Sequence, residues 1–247
     1  MRYLMTIQYD GTAFHGWQVQ PNGITVQETV GDAFEKFLGH RLKIIGCSRT
    51  DSGVHALKFC FHFDYDGKIP SDRLVFALNA HLPSDISAID CRQVPNDFHA
   101  RYSVLSKRYV YKIYNAKIRS PFFEGRAYHF NMPLDEKIMD EAAKQFVGTY
   151  DFSAFCSANS SVEDKVRTVY DAGVKRIGDV VEFYVEANGF LYNMVRIMAG
   201  TLTSCGIGKL KPSDIIPIIQ SKRRNRAGVT VPPQGLYLYD VKYDFSE

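Results

Sequence analysis

No Cys-x-x-Cys pair occurs in this chain, and its five cysteines, Cys47, Cys60, Cys91, Cys156 and Cys205, are scattered and odd in number. That pattern indicates neither a disulfide framework nor a zinc knuckle and reads as reduced thiols. The seven histidines lack metal-ligand spacing and no glycine-rich phosphate loop is present, so neither a metal nor a nucleotide cofactor is indicated. No apolar run is long enough to cross a bilayer. Met1-Arg2-Tyr3-Leu4 enters a strand-like pattern without the charged and apolar regions of a signal peptide, which makes the cytoplasm the expected compartment. A large excess of either charge is also lacking: a net +3 is too mild to announce a nucleic-acid binder by itself.

What the chain has is enough apolar material for a substantial core: 247 residues, 45% of them hydrophobic, fit one large domain or two small ones. Thr25 and Glu28 fit a capping box; Val26, Val30, Ala33, Phe34, Phe37 and Leu38 share one helical face; Gly39 supplies a stop. A second helix is predicted after Pro133, carrying Leu134, Ile138, Met139, Ala142, Phe146 and Val147 and ending at Gly148. Each helix follows a strand-like segment (3–9 and 108–115) and precedes further strands such as 57–65 and 181–187. The expectation is an α+β protein of two similar halves, residues 1–104 and 105–247, closely packed because no low-complexity linker separates them.

Gly46 to Ala56 read Gly-Cys-Ser-Arg-Thr-Asp-Ser-Gly-Val-His-Ala, a polar turn between apolar runs. Leu42, Ile44 and Ile45 lead in, and Leu57, Phe59, Phe61, Phe63 and Tyr65 lead out with period-two alternation. Asp51 therefore stands at a strand end, where rigid support and ligand access coincide. Asp-Ser-Gly is equally the make-up of an ordinary turn whose Asp bonds nearby backbone N–H groups; Arg49 and His55 add polar groups without deciding between the two. Arg196 is a lone cation in Met194-Val195-Arg196-Ile197-Met198, on a helix from Asn193 to about Ser204. Such a guanidinium is either paired and hydrogen-bonded or snorkels to the surface along its stem. Tyr109 shares a strand face with Tyr111 and Ile113, a pattern that also suits a core tyrosine. Two basic clusters, Lys107, Arg108, Lys112, Lys117 and Arg119, then Lys222, Arg223, Arg224 and Arg226, are either solvated faces or phosphate contacts.

The string Arg49-Thr50-Asp51-Ser52-Gly53-Val54-His55-Ala56 resembles the Arg-Thr-Asp-x-Gly-Val-His signature of the tRNA pseudouridine synthase A family. Further blocks over nearly the whole chain agree: Tyr9-Asp10-Gly11-Thr12 with Gly16-Trp17-Gln18; Phe98-His99-Ala100-Arg101 with Arg108-Tyr109-Val110-Tyr111 and Ile113-Tyr114-Asn115; Phe190-Leu191 with Met194-Val195-Arg196 and Gly200; Pro232-Pro233-Gln234-Gly235-Leu236-Tyr237-Leu238. Cys47, Ser48 and Ser52 depart from the usual Ala, Gly and Ala, which touches loop packing and leaves the aspartate in place.

The resemblance implies two halves sharing a mostly antiparallel sheet, with helices packed on it and a central cleft. It also implies uridine-to-pseudouridine isomerisation in the anticodon stem-loop of tRNA, at about positions 38 to 40, by a homodimer that needs no cofactor. Asp51 would be the catalytic nucleophile or base, paired with Arg196; Tyr109 would stack on the target base, and Arg49 would join Tyr109 and Arg196 in binding substrate. Two rivals predict other outcomes: a non-catalytic RNA-binding module, and a hydrolase using Asp51 and His55 as an acid–base pair.

Overall fold

The computed structural model describes residues 1–158 and 162–245. Along the chain run β1 (Arg2–Tyr9), α1 (Val26–Leu38), β2 (Ile45–Gly46), β3 (His55–Asp64), α2 (Ser71–Asn79), β4 (Ile86–Val94), β5 (Val104–Tyr114), β6 (Tyr128–His129), α3 (Glu136–Lys144), β7 (Gly148–Asp151), β8 (Val166–Ile177), β9 (Val180–Ala187), α4 (Met194–Gly206), α5 (Ile215–Ser221) and β10 (Leu236–Tyr243). They fall into two units, Met1–Leu105 with Tyr237–Glu247, and Ser106–Leu236. The last strand, placed by the sequence in the second half, thus groups with the first, because Tyr237 and Leu238 pair in parallel with His55 and Ala56 of β3. Among the described residues no helix is long and apolar enough to cross a membrane.

In the first unit the strand order is β4-β1-β3-β10, antiparallel except at the β3–β10 pair. Helix α1 begins and ends where the sequence predicts: the Thr25 hydroxyl accepts from Glu28 N–H at 3.3 Å, and Gly39 closes it with φ 78°. Its Phe34 meets Phe61 edge-on at 6.3 Å and lies 5.1 Å from Phe63. Burying a phenylalanine fully stabilises by about 2–3 kcal/mol, so this contact fixes the helix on the sheet.

Alternation along β3 holds for Phe59, Phe61 and Phe63, but Leu57 is exposed and Cys60 and His62 on the opposite face are buried. That face is covered by the segment following β4, whose Ala100 N–H donates to His62 Nδ1 at 3.0 Å. The lead-in run yields only the two residues of β2, since after Cys47 N–H bonds Cys60 O (2.8 Å) the chain leaves the sheet for the Asp51 turn.

His62 gives the fold an acid sensitivity. Burial, and next the Arg2 charge, lower its pKa from 6.5 to about 4. The unfolded chain therefore takes up the proton first, so stability is intact above about pH 6.5 and falls as pH drops towards 4. The thermal unfolding midpoint should decline across that window, and His62→Asn, which keeps an acceptor for Ala100 N–H, should flatten the decline. An equal decline in the variant contradicts this assignment.

In the second unit β5, β9, β8 and β7 form antiparallel pairs, with Tyr109 opposite Val185, and short β6 joins β5 in parallel. Helix α3 begins at Glu136 because the Asp135 carboxylate accepts from Lys137 and Ile138 N–H (3.0 and 3.1 Å). It ends at Lys144, short of the expected stop. Gly148, with φ 130°, instead opens β7, so the resemblance between Phe37-Leu38-Gly39 and Phe146-Val147-Gly148 does not extend to their role. Helix α4 is buried on nearly every side. A Cβ at Gly200 would fall 2.0 Å from Val229 O, so the segment before β10 lies directly on the helix and only glycine allows it. Each unit therefore combines a mostly antiparallel sheet with packed helices, as an α+β fold requires.

Candidate active site

Asp51 is half-buried in the turn between β2 and β3, and the backbone around it is held from several directions. Val54 N–H closes the turn on Asp51 O (3.2 Å), while Gly53 N–H and the Ser52 hydroxyl donate to Phe14 O (3.2 and 3.3 Å). Trp17 N–H donates to Thr50 O at 3.2 Å, and the Tyr9 and Thr50 hydroxyls bond at 2.8 Å. Gly16, with φ 80°, lets this bracing segment approach: a Cβ there would lie 2.3 Å from Thr50 O. Trp17 is buried and stacks on Phe59 at 4.1 Å, against Gly46. The motif Tyr9 to Gln18 is thus the scaffold of the aspartate turn, a task for Trp17 that sequence alone leaves open. Gln18 ties to Gln27 on α1 at 3.1 Å, and His15 N–H bonds Ile24 O at 2.8 Å.

His55 follows the turn, buried, with its ring stacked on Tyr237 at 4.6 Å. Its Nδ1 accepts from Gly11 N–H at 3.0 Å and also lies 3.2 Å from an Asp10 carboxylate oxygen. Both contacts converge on the same ring nitrogen. His55 thereby locks the far side of the turn to the first block. Arg49 is exposed, and its guanidinium enters no ion pair among the described residues.

In the second unit Tyr109 is buried on β5, and the edge-to-face contact of Phe190 at 4.9 Å sets its ring plane. Arg196, in the first turn of α4, does not snorkel: Nε donates to Val231 O at 2.8 Å and Nη1 to Asn193 Oδ1 at 2.7 Å. The next carbonyl, Pro232 O, accepts from the Tyr111 hydroxyl at 2.7 Å, and burial drives the Tyr111 pKa well above its usual 10. The adjacent carbonyls of Val231 and Pro232 thus fix both side chains. Tyr111 and Asn193 were not singled out from sequence, because a core tyrosine and a helix-start asparagine carry no distinguishing spacing.

The basic clusters divide. Arg108 reaches Asp171 (3.5 Å) and Glu186 (3.9 Å) and lies over the Tyr184 ring, and Lys112 reaches Glu182 (3.9 Å), so both are spent within the sheet. Lys117 and Arg119 remain exposed. Arg224 bonds Gly228 O (2.9 Å) and Thr230 Oγ1 (3.0 Å), and Lys222 pairs with Asp151 (2.8 Å), whereas Arg223 and Arg226 are exposed. Among the described residues no group of three or more His, Cys, Asp or Glu is placed to hold a metal ion.

A family model described as tRNA pseudouridine synthase matches residues 5–103 and 142–244. Proteins named tRNA pseudouridine synthase A are similar over nearly the full length. That of Caldicellulosiruptor bescii is 49% identical over 97% of this chain and 98% of its own, and that of Bacillus subtilis 44% over 99% and 100%. A solved structure, a Cbf5-Nop10-Gar1 complex, aligns over 81% of this chain and 45% of its own at a TM-score of 0.38 and 14% identity, too slight a likeness to carry an argument. With the match covering most of both units, and with the aspartate turn braced by the very blocks that define the resemblance, the chain belongs to the tRNA pseudouridine synthase family.

Proposed function

We propose that the protein isomerises uridine to pseudouridine in tRNA, in the anticodon stem-loop at about positions 38 to 40, with Asp51 as the catalytic nucleophile or base. The N-glycosidic bond is cleaved, the detached uracil turns, and it is rejoined through carbon to the same ribose, so nothing is oxidised and no group is lost. Tyr109 stacks on the extruded base, while Arg196 and Arg49 bind substrate. The protein acts in the cytoplasm as a homodimer. The observation that carries this reading is the Asp51 turn itself: Tyr9, Phe14, Trp17 and Gly11 all hold it, directly or through His55. So much support behind one half-buried carboxylate is what a preorganised reactive group requires. His55, accepting from Gly11 N–H through Nδ1, braces the turn.

Base–aromatic stacking is worth about 1–3 kcal/mol, comparable with the few kcal/mol needed to unstack a nucleotide. Tyr109→Ala is therefore expected to lower turnover by about 10- to 100-fold while tRNA still binds. Normal single-turnover rates in this variant reject the stacking role. For Arg223 and Arg226 the expectation concerns affinity: neutralising both weakens tRNA binding and flattens the plot of log affinity against log salt by about one to two units. An unchanged slope removes the pair from the interface.

A further inference from the structure

We infer that Asn193, with Ser157 behind it, is a positioning residue that aims the Arg196 guanidinium at the bound uridine nucleotide; the inference rests on the substrate role proposed above for Arg196. An asparagine preceding a helix ordinarily caps it, its side-chain oxygen accepting a backbone N–H two or three residues on. Asn193 makes no such bond to α4. Its backbone is left-handed (φ 60°, ψ 9°), a conformation shared by only one other non-glycine residue among those described, Lys222. The amide is instead turned to Arg196: Oδ1 accepts from Nη1 at 2.7 Å, and Nδ2 donates to Ser157 Oγ at 2.9 Å.

This network settles which way the amide faces, since an arginine can only donate and therefore needs the oxygen. Ser157 is itself anchored by its N–H to Tyr192 O at 3.1 Å. With Nε held by Val231 O at 2.8 Å, the guanidinium plane is fixed at two of its nitrogens. A helix that forgoes its cap and accepts a left-handed residue at its start has given up local stability to orient one side chain. The value lies in geometry: a charged group displaced by about 1 Å from its productive position costs on the order of 100-fold in rate.

The experiment is a double-mutant cycle on purified protein acting on unmodified tRNA. Asn193→Gly tolerates the left-handed backbone and removes only the amide. It should lower kcat about 10- to 100-fold with tRNA affinity and unfolding midpoint near the parent values. Asn193→Asp keeps the acceptor for Arg196 and should recover most of the rate. In an Arg196→Ala background Asn193→Gly should cost nothing further. Should Asn193→Gly fail to fold, Ser157→Ala, which releases the amide, enters the same cycle, and a several-fold loss confined to proteins retaining Arg196 is expected. A parental kcat in Asn193→Gly, or a loss that adds in full to that of Arg196→Ala, overturns the inference. A parental kcat in Arg196→Ala rejects the substrate role of Arg196 instead.

Discussion

Asp51→Asn is expected to bind tRNA as tightly as the parent and to form pseudouridine about 10^4- to 10^6-fold more slowly, the scale seen when an enzyme loses its nucleophile. The amide matches the carboxylate in size but is neither a nucleophile nor a base at neutral pH. The backbone hydrogen bonds of Thr50, Asp51, Gly53 and Val54, and the hydroxyl bonds of Thr50 and Ser52, are left in place by the substitution. Single-turnover kinetics and a binding isotherm on the same tRNA check both halves of the expectation. Turnover within about tenfold of the parent removes Asp51 from the chemistry and favours the reading of a non-catalytic RNA-binding module.

The second large effect is expected at Gly16. Alanine there meets two penalties at once: a left-handed backbone at φ 80°, worth about 1–2 kcal/mol, and a Cβ placed 2.3 Å from Thr50 O and 3.1 Å from the Asp51 carbonyl carbon. Those atoms belong to the backbone of the turn and cannot swing away as a side chain would, so the turn itself must move. A loss of about 2–4 kcal/mol of stability and about 100-fold in kcat should follow. Gly39→Ala is the control, since φ there is 78° but no atom lies within 4 Å of the added Cβ. It should lose about 1–2 kcal/mol and no activity. If both variants lose stability alike and Gly16→Ala keeps full kcat, the turn does not depend on this close approach.

Much of the first unit was legible because local signals and tertiary packing agree there. Thr25 and Gly39 bound α1 in sequence and in structure, and Phe59, Phe61 and Phe63 read correctly as one buried face. Helix α2 is hidden in the sequence because Pro70 precedes it and no side chain caps it. Strand β4 carries Ser87, Asp90, Arg92 and Gln93 among its apolar residues, an edge strand whose polarity hides it. Gly148 resembles a helix stop, yet its pairing with Val169 in the β7–β8 ladder decides its role, and that partner lies outside a local window. The destination of β10 depends on His55 and Ala56, far away in sequence.

The aspartate itself was found through resemblance, because Asp-Ser-Gly alone suits any turn. Its scaffold is legible only in the fold, which gives Trp17, His55 and Asp10 their tasks. Charge clusters misled for a related reason: sequence counts Arg108 and Lys112 as available cations, while the fold sets Glu182 and Glu186 beside them.

The most direct test is a nucleotide-resolution mass-spectrometric map of unmodified tRNA after incubation with the purified protein, using a chemical label that distinguishes the carbon-linked isomer. Intact strands of unchanged mass before labelling are expected, with labelled residues confined to the anticodon stem-loop at about positions 38 to 40. Free uracil, a cleaved strand, or tRNA that remains unlabelled under these conditions would contradict it.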